Sequence, residues 1–309
     1  MDMKPPPRRL YKYRSFSTHT LRMVSEAEVF FAKPATFNDP FDCNPTVFVD
    51  VEWKEVERLW KSIALKQLGR ERAVDAMSSY RYSATEDGGK YDDGADGTRA
   101  YTQFLVRDID AFLKQQFKDF GVFSAASRWD NPLMWSHYAE EHRGICVEYL
   151  TDDHRCQVLG PVDYNSSRYV NVSDLIEWLL RRSTSAKKKI FDQYFFAKAP
   201  QWKYEREWRA VSKTNGKQDR PFRIGSVHFG LRCDAAIVTT IVKLFAESRE
   251  EPKFYKVTSR DDGFKLARYQ IDPWEIEAFG LRESAHFAMD DFEFDPMTAT
   301  GEISGRTLK

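Results

Sequence analysis

"RRLYKYRSFSTHTLRMVSEAEVFFAKPATFNDPFDC", residues 8–43, contains the order of elements on which the fold depends. "RRLYKYRSF" alternates as a strand, with Leu10, Lys12 and Arg14 on one face and Tyr11 and Tyr13 on the other. "THTLRMVSEAE" is expected as a short helix, capped by Thr18 or Thr20, with Leu21 and Val24 three residues apart. "VFFAKP" then predicts a second strand that stops at Pro34. From it hangs "ATFNDPFDC", which mixes prolines, aromatic anchors (Phe37, Phe41), the turn formers Asn38 and Asp39, and a further carboxylate, Asp42. A fixed backbone carrying apolar bodies and a few polar groups suits a pocket wall. The plainer alternative is a turn capped by Asp39, with the phenylalanines plugging the core.

Downstream, Val56, Leu59, Trp60 and Ile63 recur at helical spacing. Residues 83–98 are rich in Gly and Asp and are expected as a flexible loop. "YTQFLVRDIDAFLKQQF" predicts an amphipathic helix whose stripe is Phe104, Leu105, Ile109, Phe112, Leu113 and Phe117. "GVFSAAS" is read as a strand. "DNPLMWSHYAEEHRG" is a helix punctuated by Asn131, Pro132 and Gly144, and "ICVEYL" a buried strand. Residues 173–197 are expected to be mostly helical, with Lys187, Lys188 and Lys189 on a solvated face. "WKYEREWRAVS" fits either period, and its aromatic alternation favours a strand at least from Glu207 onward. "AAIVTTIVKLF" and "FKLARYQI" supply two further elements. Together these interleaved elements specify an α+β domain over residues 1–283, with a helical insertion at 51–120 and an acidic, loosely held tail at 284–309.

Across its 309 residues, 42% are hydrophobic and 15% aromatic, which furnishes a real core. Lys plus Arg and Asp plus Glu balance at 47 each. That balance argues against bulk nucleic-acid binding but leaves room for a local basic groove. The four scattered cysteines read as reduced thiols of a cytoplasmic protein, and His142, Cys146, His154 and Cys156 do not share a face that would hold zinc. "MDMKPPPRRL" lacks the apolar core of a signal peptide, and no apolar run is long enough to span a membrane.

"FNDPFD", "DNPLMWSHYAEEHRGICVEY" and "WKYEREWR" together resemble a large bacterial family defined only as a domain of unknown function, over about Leu10 to Val242. More distantly, the opening stretch looks like the start of ADP-ribosyltransferase-like domains, where a strand with a polar or cationic residue precedes a short helix, a strand and a loop. Those families later place a Ser/Thr-bearing strand beside the nicotinamide site and then a Glu-x-Glu pair. Here Arg14, then Ser124 and Ser127, then Glu205 and Glu207 follow that order. The resemblance implies a mixed, mostly antiparallel split sheet with flanking helices, and an enzyme that consumes NAD, with a defence or toxin-type role from family context. It implies Glu207 and Glu205 as catalytic residues; apart from the resemblance, His137 is a further acid–base candidate by residue type, with hydrogen-bonded packing between Trp135 and Tyr138 as its plainer role. NAD would be held by Arg14, Tyr11, Asn38, Asp39, Ser124, Trp135 and Tyr138.

The chemistry explains the residue types. A guanidinium grips a diphosphate bidentately. A carboxylate stabilises the oxocarbenium-like cation formed when the nicotinamide–ribose bond breaks. Aromatic rings sandwich nicotinamide. Two other readings stand beside this one. Asp39, Asp42, Glu205, Glu207 and His137 would gather divalent cations in a phosphodiesterase or nuclease. Alternatively, the tryptophans pack the core of a non-enzymatic sensor or partner-binding module. The acceptor stays open between protein, nucleic acid, small molecule and water, and no membrane partner is expected.

Overall fold

The structure, a computed structural model, describes residues 5–86 and 95–278. In chain order the elements begin β1 (Arg9–Arg14), α1 (Thr18–Ser25), β2 (Glu28–Phe31) and β3 (Thr46–Phe48). The expected helical insertion follows as α2 (Trp53–Leu68), α3 (Arg70–Glu86) and α4 (Ala95–Phe117). Next come β4 (Gly121–Ala126), α5 (Pro132–Tyr138), β5 (Ile145–Leu150), β6 (Val158–Pro161) and β7 (Tyr169–Asn171). Two helices, α6 (Val172–Leu179) and α7 (Thr184–Phe196), lead through a 3-10 turn at Pro200–Glu205 into β8 (Glu207–Ser212). The remainder is β9 (Gly216–Asp219), β10 (Arg223–Phe229), α8 (Ala235–Ala246), β11 (Lys253–Ser259), β12 (Leu266–Ile271) and α9 (Pro273–Ala278).

The protein is α+β, built on an eight-stranded sheet of order β12-β11-β10-β5-β1-β4-β8-β6. Every pairing in it is antiparallel except β10 with β11, which α8 joins as a crossover. Where β1 meets β5, six residue pairs run from Arg9↔Leu150 to Arg14↔Ile145, whereas β1 meets β4 only at Tyr11↔Ala126. The ladder therefore opens between β1 and β4, at the middle of the sheet. A gap there exposes backbone polar groups that need other partners, and Lys12 Nζ donates to the Ser124 carbonyl across it at 2.5 Å.

The main core gathers α2, α4, α6 and α7 against Val122 of β4 and Val211 of β8. The α4 stripe forms as its spacing predicts: Leu105, Ile109, Leu113 and Phe117 are buried, with Phe104 and Phe112 partly so. Each such burial contributes up to about 1.5–3 kcal/mol. A second cluster packs Tyr11, Tyr13 and Cys146 under Met134, Trp135 and Ala139. Gly144 follows α5 as expected, but its necessity is steric: a Cβ there would lie 2.1 Å from the Arg14 carbonyl.

Several boundaries differ from expectation. Residues 83–86 and 95–98 are the ends of α3 and α4 rather than loop, because Ala84 is anchored in the helical core; residues 87–94 lie outside the described residues. In α1 the N-cap is Ser17, without a side-chain cap, and the buried pair is Thr20 and Met23 rather than Leu21 and Val24. The compact unit ends at Ile271 and a second unit covers 272–309, of which only Asp272 and α9 are described; the tail expected at 284–309 lies outside the described residues.

Candidate active site

A cavity of about 400 Å³ occupies the opening between β1 and β4. Lys12 and Arg14 line it from β1 and Ser124 from β4; Phe37, Asn38 and Asp42 come from the loop after β2, and Tyr138 from α5. Lys198, Glu205 and Glu207 complete the wall. Asn131 brings Tyr138 to this position by capping α5, its side chain accepting from Leu133 N at 3.0 Å, while its amide donates to the Tyr204 carbonyl at 2.7 Å.

Glu205 and Glu207 reach the same place by an unexpected route. Glu205 ends the 3-10 turn, Arg206 takes the left-handed conformation (φ 47°, ψ 48°), and only Glu207 begins the strand. The twist at Arg206 aims both carboxylates at one ammonium. Lys198 Nζ lies 2.6 Å from Glu205, 3.0 Å from Glu207 and 3.3 Å from Asp42. Arg209, fully buried, adds a second cation: its Nε donates to Glu207 Oε1 at 2.8 Å and its terminal nitrogen to Asp42 Oδ2 at 2.7 Å.

The loop quoted at the outset is shaped around this arginine. Asp42 pairs with it, the Phe37 ring lies 5.7 Å from the guanidinium, and Arg209 also donates to Cys43 Sγ at 3.2 Å. Cys43 itself adopts φ 49°. Asp39 takes the plainer of its two roles, the turn cap, and does not line the cavity. It caps its own turn by accepting from Phe41 N at 2.9 Å, and it accepts from Trp202 Nε1 at 2.8 Å.

Three carboxylates (Asp42, Glu205, Glu207) surround two cations (Lys198, Arg209), which leaves one negative charge in excess. Glu205 absorbs that imbalance: burial, with the Glu207 charge beside it, raises its carboxyl above the ordinary value despite Lys198 and the Tyr138 hydroxyl, which donates to it at 2.6 Å. Glu207 goes the other way. Burial alone would raise it, but Arg209 and Lys198 outweigh burial and hold it well below the usual range. Across the opening, burial and the neighbouring Arg14 push Lys12 down to about 7, against the partial pull of Glu207 and Glu205. Arg14 has no carboxylate partner among the described residues, and its Nε is buried without an acceptor; Asp42 Oδ1 is likewise buried without a donor.

A lysine titrating near 7 is a nucleophile at pH values where ordinary lysines are charged. Amine-directed acylation at about pH 8 should therefore modify Lys12 ahead of the exposed Lys187 and Lys188, as read by peptide mapping. Lys12 reacting no faster than those two would show that the cavity does not present it as a neutral, accessible amine.

Of the residues expected at the site, Arg14, Tyr11, Asn38, Ser124, Tyr138, Glu205 and Glu207 line this one cavity. Tyr11 does so with its hydroxyl committed to Glu148 at 2.9 Å. Trp135 does not line it: the indole is fully buried in the second cluster, edge-on to Tyr13, because α5 turns that face inward. His137 is exposed on the opposite side of α5, with Nδ1 3.1 Å from the Tyr204 hydroxyl. Asp39 faces a neighbouring cleft. Lys12 was legible by its alternation with Arg14. Arg209 was legible in the same way, two residues from Glu207 on one face of β8, whereas Lys198 carries no local signal. Among the described residues, no group of three or more His, Cys, Asp or Glu is arranged to hold a metal ion.

Residues 134–210, about a quarter of the chain, match a family model described as "Protein of unknown function (DUF2971)". The matched span carries Tyr138, Lys198, Glu205, Glu207 and Arg209, and leaves out β1 and the loop that close the cavity from the other side. No curated protein and no solved structure matches the chain.

Proposed function

We propose that this protein consumes NAD, breaking the nicotinamide–ribose bond in the cavity between β1 and β4 and passing ADP-ribose to an acceptor or to water. The observation that carries this reading is the pair of glutamates that share Lys198 while their surroundings push them apart in acidity. Two carboxylates tuned in opposite directions divide the labour of glycosidic chemistry. Glu207 stays an anion and stabilises the positive charge that develops on the ribose. Glu205 exchanges a proton.

In the proposed reaction the bond between C1′ and the nicotinamide nitrogen breaks, and its electron pair leaves with neutral nicotinamide. The acceptor's oxygen or nitrogen forms the new bond to C1′ and loses its proton to Glu205. Arg14, with no carboxylate partner among the described residues, is the group available to a diphosphate, and Asp42 Oδ1 is an acceptor available to a ribose hydroxyl. Phe37 and Tyr138 supply ring surface.

The metal-dependent alternative meets a physical obstacle. Asp42, Glu205 and Glu207 are already paired with a buried ammonium, two of them also with a guanidinium, and a divalent ion would have to displace both.

The test is nicotinamide release from NAD by purified protein, with and without cell extract, and with chelator as control. Release that survives chelator is expected, and Arg14→Ala should weaken NAD binding by at least about tenfold, the scale of a charged hydrogen bond. No release under any condition, or phosphodiester cleavage abolished by chelator, would overturn the reading.

A further inference from the structure

Behind the loop that walls the cavity, Phe37 and Asp42 also line a cleft of about 560 Å³. Asn44 and Lys114 carry that cleft into a wider groove of about 750 Å³, bounded by β3, α4 and Arg168. The two together present six cations, Lys33, Arg99, Arg107, Lys114, Lys118 and Arg168, against Asp39, Asp42 and Asp110. Asp39 and Asp42 are buried in the contacts already described, and Asp110 pairs with Lys114 at 2.7 Å. Among the described residues, no carboxylate pairs with Lys33, Arg99, Lys118 or Arg168. A chain with no net charge has thus concentrated uncompensated cations on one path.

Aromatic rings stand bare beside it. Phe41 is 58% exposed, with the Arg168 guanidinium 4.6 Å from its ring. Phe48 and Tyr169, 49% and 53% exposed, pair with each other at 5.5 Å on β3 and β7. The Phe48–Tyr169 pair steadies the two short strands, yet all three rings keep about half their surface in solvent, and rings exposed beside cations are the arrangement that holds bases by stacking and phosphates by charge.

We propose that this groove binds single-stranded nucleic acid. A duplex would not offer its ring faces to Phe41 and Tyr169, and an acidic peptide would use the cations but leave the rings idle.

The experiment measures binding of a fluorescently labelled single-stranded DNA of about 15 nucleotides, without NAD, alongside its duplex and a polyglutamate peptide. Single-strand binding should exceed duplex binding and weaken steeply with salt. Charge reversal at two exposed positions, Arg99→Glu with Lys118→Glu, should weaken it at least tenfold and flatten the salt dependence. Phe41→Ala should weaken it several-fold with the salt dependence unchanged, a signature that a merely electrostatic surface would not give. Unchanged melting temperatures confirm that the variants are folded.

No single-strand binding at low salt overturns the proposal, as does binding insensitive to these substitutions or equal affinity for polyglutamate. Because NAD is absent from this assay, a failure here leaves nicotinamide release intact, and a failure of nicotinamide release leaves this binding intact.

Discussion

Arg209→Met should lower the free energy of unfolding by about 3–5 kcal/mol, the cost of leaving buried charge without its partner. Arg209 is 0% exposed and donates to Glu207, Asp42 and the Phe195 carbonyl. Methionine fills much of the volume, so the loss reports the stranded carboxylates rather than a cavity. Removing the charges as well, by combining Arg209→Met with Glu207→Gln and Asp42→Asn, should recover part of it. By contrast, the exposed pair of Arg143 and Glu141 at 2.9 Å should be worth under about 1 kcal/mol. Urea denaturation measures both, and a loss below about 1 kcal/mol for Arg209→Met would mean that the network is not held together by this cation.

The same network sets the acid limb of stability. Glu207 is held below its ordinary value in the fold, so its contribution is complete above about pH 4.5 and is lost as the solution is acidified toward the depressed folded-state value. Glu207→Gln should flatten that limb. Glu205 has the opposite sign: its carboxyl is raised in the fold, so ionising it opposes folding above its ordinary range.

Glu205→Gln should cut nicotinamide release by about a hundredfold or more, the scale on which a positioned acid–base group contributes. The amide keeps the shape and can still meet Lys198 or Tyr138, but it cannot take a proton. Glu207→Gln should cost about a hundredfold too, roughly 3 kcal/mol of charge stabilisation. The two are separated by pH. In wild type, release should rise through an inflection above the ordinary glutamate value, because Glu205 must be ionised to accept a proton. Tyr138→Phe removes a donor that favours the ionised form and should move that inflection to higher pH. Glu207→Gln should lower the plateau while the rise persists. A profile in wild type with no inflection, or one that Tyr138→Phe leaves unmoved, would remove Glu205 from the chemistry.

What the sequence determined by itself is local. Period-two alternation placed Lys12 and Arg14 together on β1, the spacing of Leu105, Ile109 and Leu113 built α4, and Asn131 with Pro132 started α5. Each depends on neighbours within a turn or a strand, where sterics and capping act without reference to the rest of the chain. The strand starting at Glu207 belongs here too; Glu205 does not, because it ends a 3-10 turn and the left-handed Arg206 separates it from the strand that a single alternation through the whole segment would make continuous.

Only the tertiary structure decided the site. Whether Trp135 faces a cavity or the core depends on which side of a seven-residue helix meets β1, and so short a helix has no pattern to say so. Lys198 and Arg209 become the centre of three carboxylates only when α7, β8 and the loop after β2 converge from distant parts of the chain. The opening between β1 and β4 arises because β1 is fully paired with β5 on one edge but meets β4 on the other at a single pair. Strand partners so far apart in sequence are chosen by the packing of the whole sheet, and a choice made there leaves no mark on either strand alone.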